Sequence, residues 1–316
     1  MLNQVVKIHE ITHFLKKVHI MNIHFLGIGK MGLPMAMHLA CAGHALTVND
    51  PSEGRLELAI AKGLTVVKDD AAGIGAADVV FSSLPNDSAL LAVGVTVASS
   101  ARSGTVFVDT STVSPSVSAK VALQLAVQGI DYVRVAVSGN NKMAEDAQLT
   151  VLASGPRSAY ERVLPLMQAL GPQHFYLGDA EQARMMKLVV NLMIAQTSAM
   201  LAEALTLGRK GGLEWQDMWQ VLTASAVASP IVKAKAVQLQ NRDFTPTFTV
   251  VQMIKDLDLI LDEAVAHSMT LRQTAMTQAL MHSAVNQGFG QDDYASIIQV
   301  LEREAGLGPV RQDQLD

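Results

Sequence analysis

The sequence predicts an α/β fold in which a doubly wound parallel sheet is followed by an all-helical second domain, and three observations carry that expectation. From Asn22 to Gly178, short apolar runs alternate with stretches of helical periodicity, the pattern of buried strands separated by covering helices. A glycine-rich segment, Gly27-Ile28-Gly29-Lys30-Met31-Gly32, follows the first apolar run directly and opens a helix. Beyond Gly178 the strand signal ends, and apolar residues recur at helical spacing instead.

Taken in order, the predicted strands are Ile23–Leu26, Ala45–Val48, Leu64–Val67, Val79–Leu84, Thr105–Val108 and Tyr132–Val137. Two further strand-like runs, Leu149–Ala153 and His174–Leu177, flank a helix from about Ser158 to Leu170. A helix from Met31 to Ala42 stops at Gly43, and Ser114-Pro115 supplies an N-cap followed by proline at the first helical position. The helical part opens with Gln182–Lys210, closed by Gly211-Gly212, and continues as helices separated by Ser229-Pro230 and Pro246. The expected organisation is an N-terminal extension (1–20), a sheet domain (21–180) and a helical substrate and dimerisation domain (181–316), with Met21 a candidate start.

Composition narrows the function classes. A chain of 316 residues, 49% of them hydrophobic, can bury substantial cores, and its net charge of -5 offers no basic stripe for a phosphodiester backbone. A small-molecule partner is expected, and nucleic acid is not. The one cysteine, Cys41, forms no intrachain disulfide and reads as small-residue packing, so a cytoplasmic setting is expected. The uncharged stretch Leu188–Ala202 is shorter than a membrane span and contains Asn191, Gln196, Thr197 and Ser198, so no membrane partner is expected.

The glycine segment matches G-x-G-x-x-G in its required context, between a strand and a helix within a strand-helix-strand unit. The first glycine permits a tight turn, the second lets the backbone approach a pyrophosphate, and the third brings helix against strand. Free N–H groups at the helix start then face the phosphates. Asp50, 18 residues past Gly32 at the end of the second strand, can accept hydrogen bonds from ribose hydroxyls and repel a 2'-phosphate. These features predict a Rossmann-type domain that binds NAD.

Five motifs occur in order and in register: Gly27 to Gly32, Leu84-Pro85-Asn86, Asp109-Thr110-Ser111-Thr112, Val137-Ser138-Gly139 and Lys187-Leu188-Val189-Val190-Asn191. With them the chain resembles the β-hydroxyacid dehydrogenases, which include 3-hydroxyisobutyrate dehydrogenase and tartronate semialdehyde reductase, over about residues 22 to 305. The resemblance implies that Leu84, Pro85, Asn86 and Thr112 line the cofactor, with Thr112 also near the substrate. Ser138 and Gly139 would hold the substrate carboxylate, Lys187 would be the catalytic acid/base assisted by Asn191, and Lys255 would close over the cofactor. The family's usual Asp-Ala-Pro-Val-Ser-Gly-Gly reads Arg134 to Asn140 here, and glycines usual six and four residues before the lysine are Glu181 and Ala183.

The residues themselves agree with the resemblance, because Lys187 and Asn191 stand four apart and share one helix face. A lysine exchanges protons near neutrality once burial and a neighbouring cation lower its pKa. The expected reaction is hydride exchange between NAD(H) and a small anionic β-hydroxy acid or its semialdehyde, by a homodimer or homotetramer. Two other readings remain open. One is imine reduction, against which Lys187 argues; the other is a dinucleotide-binding regulatory protein without turnover, suggested by Arg134, Asn140, Glu181 and Ala183. Arg134 itself stands about 13 Å along the strand from Ser138, so it serves either strand packing or a second anionic group of a longer substrate. His9-Glu10-Ile11-Thr12-His13, with His19 beyond, matches a zinc-protease pattern, but Lys16 stands where the extended motif needs glycine, and no metal site is expected.

Overall fold

The computed structural model describes residues 20–308 and 310. The His9–His13 motif and His19, and with them nearly all of the expected N-terminal extension, lie outside the described residues. The sheet domain alternates strands and helices: β1 (Asn22–Leu26), α1 (Gly32–Cys41), β2 (Ala45–Asn49), α2 (Glu53–Ala61), β3 (Thr65–Val66), α3 (Asp70–Ala76), β4 (Val79–Ser82), α4 (Asp87–Ser100), β5 (Val106–Asp109), α5 (Pro115–Val127) and β6 (Asp131–Ser138). It ends with α6 (Asn141–Glu145), β7 (Thr150–Ser154), α7 (Arg157–Gln168) and β8 (Gln173–Tyr176). The strands form one sheet in the order β3-β2-β1-β4-β5-β6-β7-β8.

The sheet departs from the expected all-parallel arrangement at one joint, where β7 runs antiparallel to β6 with Ser138 opposite Thr150. The cause is the short connection through α6: a parallel return needs a crossover of a dozen or more residues, usually a full helix. The fourth strand also ends at Ser82 rather than Leu84, which leaves Ser83 and Leu84 in the loop above the sheet edge. Cys41, expected to pack, is exposed, because the buried face of α1 is formed by Gly32, Leu33, Met35, Ala36 and Leu39.

The glycine loop has the geometry its sequence demands. Gly27 has a φ of +85°, and a Cβ there would meet the Ser83 carbonyl oxygen at 2.4 Å. At Gly32 a Cβ would stand 2.0 Å from the Gly27 carbonyl oxygen, whereas at Gly29 it would meet nothing within 4 Å. The first and third glycines are therefore required by the protein's own packing, and the second leaves open space above the loop.

The helical region begins with α8 (Gln182–Lys210), continues as α9 (Trp215–Ala224), α10 (Pro230–Gln240), α11 (Val250–Ala266) and α12 (Arg272–Asn286), and closes with a 3-10 turn (Tyr294–Ile297) running into α13 (Ile298–Glu304). Leu188, Ala195, Leu201 and Leu205 of α8 pack with Trp215 and Trp219, Leu257 and Ile260, Met281, and Ile297 and Ile298 in one core. At 29 residues, α8 as a whole is long and apolar enough by length and composition to cross a membrane, although Leu188–Ala202 alone is not. It buries Arg184, Asn191, Ser198 and Thr206 within the protein.

Gly32→Ala is expected to cost roughly 2–3 kcal/mol of stability by steric strain, and Gly29→Ala to stay within about 0.5 kcal/mol of wild type. Gly29→Ala should nonetheless weaken NADH binding at least about tenfold, because its methyl group takes the space a pyrophosphate needs. Urea unfolding and fluorescence titration check the two effects separately.

Candidate active site

The site is built where the C-terminal ends of the central strands meet the start of α8, the edge at which open α/β sheets bind ligands. Helix α1 begins at Gly32 with no side chain capping its first turn, so its leading amides suit a pyrophosphate in the open space over Gly29. The Asp50 carboxylate accepts hydrogen bonds from the Ile28 N–H at 2.9 Å and the Ser52 N–H at 2.9 Å. It is thereby held against the glycine loop, where the motif needs a ribose acceptor. Lys30 is exposed and Met31 half-buried at the same loop. These residues fit a dinucleotide.

Leu84 and Pro85 follow β4, with the Leu84 N–H donating to Ser111 Oγ at 2.8 Å. The Asn86 side-chain oxygen caps α4 by accepting from the Ala89 N–H at 3.0 Å, so that oxygen serves the helix start first. Thr112 is half-buried, and its carbonyl accepts from Lys255 Nζ at 2.9 Å, a contact across the two parts of the chain. Ser138 ends β6, and Gly139 follows at a φ of +146°.

Lys187 reaches this edge from the second turn of α8, with Nζ donating to the Val137 carbonyl at 2.9 Å, next in sequence to Ser138. Burial pushes its ammonium below the ordinary lysine range; the Asp256 carboxylate opposes that shift and the Lys255 cation adds to it. Asn191 does not face the edge alone, since its Nδ2 donates to the buried Asp256 carboxylate, which also pairs with Lys255 Nζ at 2.8 Å. One carboxylate thus steadies two of the polar groups around the lysine. An amine so placed can exchange a proton with a substrate oxygen.

Four of the departures from the family pattern, Arg134, Asn140, Glu181 and Ala183, each have a structural role. Arg134 is buried and donates to Glu181 Oε1 through Nε at 2.8 Å and Nη2 at 2.6 Å. Two of the unusual residues therefore neutralise each other. The guanidinium, also stacked over the Tyr132 ring at 4.6 Å, is not offered to a second substrate anion, and the packing reading is the one its surroundings support. Ala183 packs against Ala136 and Leu152 and donates its N–H to Ser154 Oγ at 3.1 Å. Asn140 caps α6 through the Met143 N–H at 3.0 Å.

Sequence reasoning overlooked the largest polar assembly here. Arg184, three residues before Lys187, is 1% exposed and pairs with the fully buried Asp109 carboxylate. Its Nη1 donates to the carbonyls of Ser111 at 2.6 Å and Val135 at 3.1 Å, and its Nη2 to the Asp109 carbonyl at 3.2 Å and Tyr132 Oη at 3.0 Å. Asp109 in turn accepts from Ser82 Oγ at 2.6 Å and from Ser111 Oγ. The available signal was a second cation, Arg184, one helical turn before Lys187, and an aspartate at the end of an apolar strand; nothing local paired the two. Among the described residues no cluster of three or more histidine, cysteine or acidic side chains is arranged for a metal.

Two family models cover most of the chain: the NAD-binding domain of 6-phosphogluconate dehydrogenase over residues 22–178, and the NAD-binding model of NADP-dependent 3-hydroxyisobutyrate dehydrogenase over residues 182–301. The 2-(hydroxymethyl)glutarate dehydrogenase of Eubacterium barkeri is 33% identical over 291 residues, 90% of this chain and 96% of that one. The chain belongs to the β-hydroxyacid dehydrogenase family. The 2-hydroxy-3-oxopropionate reductase of Escherichia coli is 30% identical, over 89% of this chain and 97% of its own length. A solved 3-hydroxyisobutyrate dehydrogenase from Mycobacterium tuberculosis, with L-serine, superposes at a TM-score of 0.81 and 27% identity, covering 89% and 99% of the two chains. Like its family, this β-hydroxyacid dehydrogenase is an NAD(P)-dependent oxidoreductase of hydroxy acids.

If Arg134 and Glu181 form one electrostatic unit, Arg134→Met should cost about 3 kcal/mol, because it strands a largely buried carboxylate. Adding Glu181→Gln should recover most of that loss. Urea unfolding of the single and double variants measures it, and a double variant no more stable than Arg134→Met would contradict the pairing.

Proposed function

We propose that the enzyme uses NAD(H) in preference to NADP(H), and interconverts a small anionic β-hydroxy acid and its semialdehyde with Lys187 as general acid/base. The observation that carries the reading is the Lys187 ammonium at the end of β6, 2.9 Å from the Val137 carbonyl and lowered in pKa by burial. A bound dihydronicotinamide supplies the hydride. Ser138 Oγ and the amides around Gly139 orient the substrate carboxylate, and Lys187 gives a proton to the carbonyl oxygen as negative charge develops there. The lysine is left neutral and regains its proton from solvent; in the oxidative direction it begins neutral and takes the hydroxyl proton. Asp256 keeps Asn191 and Lys255 in position around it.

The preference for NAD rests on Asp50, whose carboxylate would accept from ribose hydroxyls and repel a 2'-phosphate, and on Pro51, which has no N–H to offer a phosphate. A homo-oligomer is supported by the outer face of α8, where Met186, Met193, Met200 and Leu207 recur every seven residues and are all exposed, with Val189 beside them. A cytoplasmic setting without a nucleic-acid or membrane partner agrees with the acidic net charge and the single cysteine.

Lys187→Ala should lower kcat by roughly 10²- to 10⁴-fold while NADH affinity changes by less than about threefold. In the wild type, reduction requires the ammonium and should decline as pH rises through an apparent pKa below 10.5, while oxidation should rise through the same limb. A folded Lys187→Ala enzyme turning over 2-hydroxy-3-oxopropionate, the substrate named for the Escherichia coli relative, at wild-type rate would remove the lysine from the mechanism. For the cofactor, kcat/KM with NADH should exceed that with NADPH at least about tenfold, the order of one charge-assisted hydrogen bond. Asp50→Ser should narrow the ratio, and equal efficiency in the wild type would contradict the assignment.

A further inference from the structure

We propose that Arg184 is a positioning residue that acts on the reaction through Lys187, by fixing the start of α8 against the ends of β5 and β6. The inference rests on Lys187 being the acid/base.

Three side chains on one face of α8 and its N-cap grip strand β6 in ascending order: Glu181 at the Arg134 guanidinium, Arg184 at the Val135 carbonyl, and Lys187 at the Val137 carbonyl. From 181 to 187 the helix climbs about 9 Å, and from 134 to 137 the strand advances about 10 Å. Helix and strand therefore run in step, and the height of the Lys187 ammonium is set by where the lower two contacts hold the helix.

Of those two, Arg184 is the one joined to the rest of the site. Its partner Asp109 gathers hydroxyls from the ends of β4 and β5, and Ser111, in the same assembly, receives the Leu84 N–H. The loop that carries Leu84 is tied to this assembly through its own backbone N–H, whereas the height of the lysine follows from the guanidinium's hold on β6. A buried ion pair is a weak source of net stability, and apolar side chains of similar volume generally replace one without loss. What a guanidinium adds is a rigid plane of five donors, here spent on the carbonyls of Asp109, Ser111 and Val135 as well as on the carboxylate. A lysine at 184 would keep the charge but could not hold all these acceptors at fixed angles.

The test is a double-mutant cycle in steady-state kinetics with NADH and 2-hydroxy-3-oxopropionate. Arg184→Lys in the otherwise wild-type enzyme should lower kcat about tenfold or more, since small misplacements of catalytic groups are costly, with KM for NADH within about twofold. The alkaline limb of kcat should move up toward 10.5 as the loosened helix end admits water around Lys187. The other charges facing that amine, Asp256 and Lys255 of α11, stay as they are. In a Lys187→Ala background the same Arg184→Lys change should cost nothing further, because the group it positions is gone. An equal loss in both backgrounds, or an unmoved limb, would overturn the proposal while leaving Lys187 in its role. Lys187→Ala at wild-type rate would instead remove the reading beneath it. If Arg184→Lys does not fold, Arg184→Gln with Asp109→Asn, which leaves neither charge unpaired, carries the same comparison in both backgrounds.

Discussion

Strand ends in an open parallel sheet present a row of carbonyls and loops with no element of their own to hold them in register, and the buried Asp109–Arg184 pair supplies that hold here. Its acceptors and donors come from β4, β5, β6 and α8 together. An ion pair with both members fully enclosed tolerates little displacement, because each charge would face a low-dielectric interior without its counterpart. The loop after β4, the loop after β5 and the start of α8 are consequently parts of one rigid edge rather than three separate segments.

Helix α8 has to satisfy two environments at once. Its first turns are polar where they meet the sheet, with Arg184, Lys187 and Asn191 each engaged, and its later turns are the post on which α9 to α13 pack. A third face carries the exposed Met186, Met193, Met200 and Leu207. That division explains why the helix is apolar enough to resemble a membrane span and still buries charged and amide side chains.

The electrostatics around the lysine combine opposing influences. Burial lowers the Lys187 pKa, Lys255 adds to the lowering, and Asp256 offsets part of it while being tied to Asn191 and Lys255. A carboxylate engaged in this way tempers the shift without forming a direct ion pair that would lock the proton on the amine. The Arg134–Glu181 pair, about 10 Å lower along β6, is closed on itself and leaves the field at the strand end to these residues.

The sequence by itself determined the order of strands and helices, the boundaries of α8 at Gln182 and Lys210, the N-cap at Ser114 and the glycine loop, because each depends on local periodicity, capping or backbone freedom. The resemblance of its short, contiguous motifs to one family brought Lys187, Ser138 and Thr112 forward as candidates. Only the tertiary structure decided which distant residues meet. Arg134 pairs with Glu181, 47 positions away, and Arg184 with Asp109, 75 positions away; nothing in either local stretch names the partner, because a buried charge is compensated through space. The reversal of β7 belongs to the same class, as its direction follows from how far the short α6 connection can reach.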